Sequence, residues 1–188
     1  ERLDRLVDRI NGLLADVTEL LMHGVDRAET ERALVERIAE TDAYAAAWIG
    51  KPDLGREVIE TSSSAGFEAP VADLALDLDG GSSIARAYAE ATVVQGDPDD
   101  VLGFPAGGPR GHLAVVPLVY GKTTYGVLAV LGAGPDELND RELAVLKSVG
   151  RTIATAINAA QSRRGLMADD LVELEFTITD ASFFPVAL

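Results

Sequence analysis

At 188 residues and 47% hydrophobic, the chain has the size and apolar content of one domain with a substantial core. Its longest apolar stretches, such as Leu113–Tyr120, are broken by Pro, Gly and polar residues well short of the roughly 20 residues that a membrane-spanning helix needs, and no signal-peptide pattern opens it. The lack of cysteine excludes disulfides, zinc–thiolate sites, thioether-linked chromophores and cysteine nucleophiles, while a net charge of −15, from 31 acidic and 16 basic residues, repels phosphate backbones.

Those features together give the expectation of a cytoplasmic protein, and the acidic residues, interspersed among patterned apolar ones, predict an ordered fold with a hydrated acidic surface rather than a solvating tail. The chain begins at Glu1 without methionine and ends on the apolar run Ala181–Leu188, so the expectation is a fragment of a longer protein.

Leu3, Leu6, Ile10, Leu13, Val17 and Leu20 alternate spacings of three and four, and Val7, Leu14 and Leu21 widen the stripe. This predicts an N-terminal helix over 1–25 with a broad apolar face, used either for dimerisation and signalling or entirely for the chain's own core. Gly24 ends it, and Asp26 with Glu29 reads as the capping box of a second helix carrying Ala33, Leu34, Ile38 and Ala39 to about Thr41. Tyr44–Gly50 predicts a buried strand, Pro52–Gly55 a turn, and Glu57–Ser63 a second strand.

The middle is less regular. Asp79–Ser82 reads as a turn and N-cap for a short helix from Ser83 to Glu90, and Ala91–Gln95 as a short strand. Gly96–Gly111 is rich in Gly, Pro and Asp and reads as a loop of the length commonly used as a lid. Two long strands follow, Gly111–Tyr120 and Thr123–Gly132, joined by Gly121-Lys122 as a tight hairpin turn. Both alternating sets of the first are apolar, which places it in a sheet covered on both faces, and Pro117 then requires a bulge or an unpaired position. Asn139 with Glu142 caps a last helix that runs to about Arg164 and directs Leu143, Leu146, Val149, Ile153 and Ile157 toward the sheet. Its length predicts that the far end reaches a partner helix. Val172–Thr179 alternates strictly, as would the first strand of a following domain.

This order of elements resembles the GAF family, with Val116-Pro117-Leu118, Tyr120-Gly121 and Gly126-Val127-Leu128 as the most recognisable local pattern, over roughly Asp26 to Ala160. More narrowly, Ala47-Trp48-Ile49-Gly50, Val116–Gly121 and Val172–Phe176 resemble the bacterio-opsin activator-like regulators of halophilic archaea. Excess Asp with scarce Lys, only Lys51, Lys122 and Lys147, suits a cytoplasm of molar salt, where the Debye length is near 3 Å. The resemblance implies an α+β fold: a GAF/PAS-like antiparallel sheet with the N- and C-terminal helices on one face and a ligand pocket, closed by short helices and loops, on the other. It implies a dimerisation and signalling helix over 1–25, a GAF domain over 26–164 and the start of a following domain over 165–188. DNA would be bound only through a C-terminal helix-turn-helix that these residues do not include.

Catalysis is not expected. The methionine-sulfoxide-reducing branch of the family uses cysteine, which is missing, and no serine lies in a G-x-S-x-G setting. His23 and His112 are the only histidines; Asp26 follows His23 at i+3 but beyond the predicted helix end at Gly24, and His112 has no histidine or carboxylate at i+3 or i+4, so no metal site is predicted. Asp97, Asp99 and Asp100 lack the EF-hand spacing. The cofactor is unknown: covalent bilin is excluded, and His112 reads as a satisfied core or pocket histidine ahead of a haem ligand. The N-K-x-F-D-E motif of cyclic-nucleotide-binding members is not reproduced by Leu138–Leu143. Ser82 and Ser83 at a helix start, with Arg86 one turn on, read either as ordinary capping or as an anion site.

The expected function is a non-catalytic sensor that binds an unknown small molecule and relays it through the terminal helices of a homodimer, or else a ligand-free dimerisation and relay module. By strand parity, the predicted pocket groups His112 and Ala114 with Trp48, Arg86, Tyr88 and Phe104. The predicted dimer helices contribute Leu3, Leu6, Ile10, Leu13, Val17, Leu20, Ile153 and Ile157.

Overall fold

A computed structural model describes residues 27–67, 71, 73–96, 112–134 and 138–168, with the isolated positions 12 and 15; side chains are described as far as 163. The apolar stripe of the first predicted helix, the 97–111 segment with Phe104, and the 172–179 strand lie outside the described residues.

Within them the order is α1 (Arg27–Ala39), β1 (Tyr44–Asp53), β2 (Val58–Ala65), β3 (Ala75–Asp77), α2 (Ser83–Glu90), β4 (Val94–Gly96), β5 (Leu113–Tyr120), β6 (Thr123–Gly132) and α3 (Asp140–Ala168). The six strands form one antiparallel sheet in the order β3-β2-β1-β6-β5-β4. The first and last long strands are therefore neighbours at the centre. Both faces of the sheet are covered, as the doubly apolar β5 and β6 require.

On one face α1 and α3 bury Leu34, Val35, Ile38, Leu146, Val149, Ile153 and Ile157 against Ala47, Ile49, Ala114, Val116, Leu118, Leu128 and Val130. On the other, α2 buries Ile84 and Ala87 against Trp48, Ile59, Leu113, Val115, Val127 and Ala129. The cross-strand register explains the division. Trp48 lies opposite Ala129, Ala129 opposite Val115, and Val115 opposite Val94, so one row crosses four strands on the α2 face. Ala47, Val130 and Ala114 form the adjacent row, which faces α1 and α3.

Local chemistry sets the boundaries. Ser82 caps α2, its hydroxyl accepting from the Ala85 N–H at 3.1 Å, and Ala91 closes the helix with φ 52°. The predicted strand over 91–95 therefore begins later, at Val94. Asn139 caps α3, its Oδ1 accepting from the N–H groups of Arg141 and Glu142. Pro117 is accommodated by a register shift between Pro117 and Val119, and by the end of β4 pairing at Val115. β1 continues three residues past its predicted end. Pro52 fits there because pairing with β6 stops at Gly50, leaving β2 as the neighbour.

Two glycines permit close approach. Gly126 has φ 151°, and a Cβ there would stand 2.2 Å from the Gly50 carbonyl oxygen. Gly150 lets α3 settle on β5, since a Cβ there would meet Val116 Cγ1 at 2.6 Å.

Candidate functional site

The predicted pocket residues do not converge on one surface. Trp48 is completely buried at the centre of the α2 face, and its indole Nε1 donates to Thr61 Oγ1 at 2.9 Å. Thr61 in turn donates to the Val71 carbonyl at 2.6 Å, tying the sheet to the segment that follows β2. Tyr88 is half-buried against the same cluster. These two share a face, as expected.

Three others do not join them. Ala114 packs beneath the terminal helices, on the opposite face from Trp48. His112 is exposed immediately before β5, with its carbonyl accepting from the Gly132 N–H. Arg86 is exposed on the outer side of α2, whose buried side is formed by Ile84 and Ala87. Parity correctly puts Ala114 and Val116 together, but in a sheet apolar on both sides parity carries no sign telling which face is which. On β5 the Trp48 face is formed by Leu113 and Val115 instead. Phe104 lies outside the described residues.

Of the dimer-helix residues, Ile153 and Ile157 are buried within this chain, against the sheet, rather than standing free for a partner. They follow Leu146 and Val149 along the stripe that packs on β5. The other six lie outside the described residues.

The face under α1 and α3 carries polar ties that the sequence reading missed. Glu31, 2% exposed, accepts from Arg27 Nε at 2.7 Å and from the Ser62 hydroxyl, fixing α1 to β2. Its position, three and seven residues before Leu34 and Ile38, places it on the apolar stripe, and that was the available signal. Glu142, read in the sequence as the capping-box partner of Asn139, accepts from the Tyr44 hydroxyl at 2.6 Å in the core. The Tyr125 hydroxyl donates to Asn158 at 2.8 Å, which ties the middle of α3 to β6.

Two open clefts lie at the margins. One, of about 390 Å³, lies between β5 and α3 and is lined by Val93, Pro117, Val119, Tyr120, Lys147 and Arg151 among others. The second, of about 580 Å³, lies at the end of the sheet where β1 leaves the β6 pairing and the β5–β6 turn closes, and Tyr88 reaches its wall. No three acidic or histidine side chains among the described residues converge as a metal ion would require. No helix among them is long and apolar enough to cross a membrane.

The comparisons agree with this architecture. The chain is 36% identical to the bacterioopsin transcriptional activator of Halobacterium salinarum over the whole of this chain and 28% of that protein. It is 30% identical to a transcriptional regulator of Haloferax volcanii over 94% of this chain and 31% of that protein. It therefore spans about three tenths of the length of these relatives. The GAF domain of a phosphoenolpyruvate-protein phosphotransferase from Coxiella burnetii superposes with a TM-score of 0.69 at 14% identity, covering 84% of this chain and 97% of that one. At that identity the likeness concerns the fold alone. The GAF domain family profile matches residues 24–158, and the chain belongs to that family.

Proposed function

We propose that this GAF domain is a non-catalytic sensory module of a cytoplasmic transcriptional regulator, taking up a small molecule on the Trp48 side of the sheet and passing the change on through α3. The observation that carries this reading is the shape of α3. Its first half is buried on the sheet as far as Ile157, and the helix then runs on to Ala168, roughly 16 Å further at 1.5 Å per residue. Residues 161–163 on that extension are exposed. A helix held at one end and projecting at the other converts a small shift of the sheet into a larger displacement at its tip. On this reading, residues 1–25 form a second signalling helix, the next domain, expected from 165, begins beyond the end of α3 at Ala168, and DNA contact belongs to a part of the regulator beyond these residues.

The non-catalytic part rests on chemistry. The chain has no cysteine, and His112 is exposed with no side-chain hydrogen bond among the described residues. A second reading, the ligand-free dimerisation and relay module, draws support from the α2 face itself, where Trp48, Ile59, Ile84 and Ala87 are each completely buried.

One experiment separates the two. Trp48 is the single tryptophan, so its emission reports on the α2 face directly. The chain is purified from a halophilic host in molar KCl and examined by native mass spectrometry, with emission recorded before and after stripping by dialysis under denaturing conditions and refolding. The sensor reading expects a retained small-molecule mass and an emission shift on its removal. A bare protein mass with unchanged emission selects the relay module. Sedimentation in molar KCl tests the dimer: a monomer at high concentration would contradict it.

A further inference from the structure

We propose that the 580 Å³ cleft at the turn end of the sheet binds a small, multiply charged anion, one bearing adjacent phosphate or carboxylate groups. This site stands apart from the Trp48 face and holds whether or not that face takes a ligand.

Acidic residues outnumber basic ones by 31 to 16 in this chain, and only three residues are lysines. Yet among the described residues the cleft is lined by Arg27, Lys51 and Lys122 and by no Asp or Glu. The three cations come from different elements, namely the start of α1, the end of β1 and the β5–β6 turn, so helical or strand periodicity did not bring them together. Neither lysine makes an ion pair among the described residues, unlike Arg37 and Arg56, which pair with Glu40 and Glu60. Two unpaired ammonium groups facing one cleft repel each other, and an anion between them removes that repulsion.

The third cation is held in place. Arg27 Nε is fixed by the buried Glu31 carboxylate, while its Nη2 is buried with no hydrogen-bond partner. Buried donors are rarely left unpaired. Since Nη2 is closed to solvent, it adds positive potential behind the cleft rather than a direct contact. The walls supply further donors in the hydroxyls of Thr123 and Tyr88 and the amide of Gln161. The volume lies within the usual range of roughly 300–1,000 Å³ for small-molecule sites, larger than a lone halide or sulfate would use. Gln161 belongs to the projecting half of α3, so an occupant would touch the helix that leaves the sheet.

The test is calorimetric titration of the chain with inorganic pyrophosphate, and in a second arm with citrate, in buffered KCl. The proposal expects saturable one-to-one binding in at least one arm, and the arm that binds more tightly identifies phosphate or carboxylate chemistry. Charge reversal in K51E/K122E should weaken that binding by about tenfold or more, the usual consequence of losing a charge-assisted hydrogen bond. Both lysines are exposed, so folding should be unaffected. The control is K147E/R151E in the 390 Å³ cleft, which makes the same change in net charge and should leave binding within about twofold. Absence of saturation in both arms, or equal weakening by the two double variants, would overturn the proposal.

Discussion

The two faces of the central sheet are both apolar, but they are held by different means. Beneath α1 and α3, each helix is tied to a strand by directional polar bonds: Glu31 to Ser62, Tyr44 to Glu142, and Tyr125 to Asn158. Across the sheet, among the described residues, α2 packs by apolar contact around Trp48, whose own polar bond runs to Thr61 on β2. Directional bonds specify one register for a helix and are lost at once when it slides. Apolar contact is non-directional and tolerates small displacements. The long helices are thus positioned and the short one can yield. That asymmetry supports the proposed division between a sensing face and a transmitting one.

The comparison can be broken most severely at Trp48. Truncation in Trp48→Ala empties the centre of the α2 face and should cost about 3–5 kcal/mol, measured by denaturant unfolding in molar KCl. A cost of under about 1 kcal/mol would mean that this face is not a close-packed core. The opposite face should be most sensitive to polarity instead of volume. Tyr44→Phe keeps the ring but removes the donor to a buried carboxylate, and should cost about 1–3 kcal/mol. If Tyr44→Phe is neutral, the polar ties do not hold α3 and the distinction fails. Ile84→Val removes one methylene from α2 and should cost about 0.5–1.5 kcal/mol. At the small end, Asn139→Ala should cost about 1 kcal/mol or less through the lost α3 cap, and helical content should fall only slightly by circular dichroism.

Much of this arrangement was legible in the residues. The doubly apolar runs around Pro117 and Gly126 fixed the central hairpin and required covering layers on both sides, and the pattern of Pro117 called for the bulge observed beside it. Asn139 and Ser82 marked their helix starts correctly. The facing of Ala114 was not legible, because strict alternation identifies which side chains share a face but supplies no reference between two apolar faces. Only the pairing of Ala129 with both Trp48 and Val115 supplies it. Arg86 was misplaced for a related reason. On this eight-residue helix Ser83, Ile84, Ala85 and Ala87 are buried, and Arg86, between two of them, is exposed. The cation-lined cleft was hidden because Arg27, Lys51 and Lys122 are far apart in sequence and meet only after the sheet closes β1 against β6.

If the proposed relay operates, a change on the α2 face reaches the projecting half of α3. Hydrogen–deuterium exchange of the amides of residues 158–163 tests it most directly, comparing the unmodified chain with Ala87→Leu, which forces extra volume into the Trp48 cluster from the far side of the sheet. Exchange across 158–163 should change measurably, along with that of α2. If the change stops at α2 and the strands it touches, leaving residues 158–163 as protected as before, the relay account is contradicted.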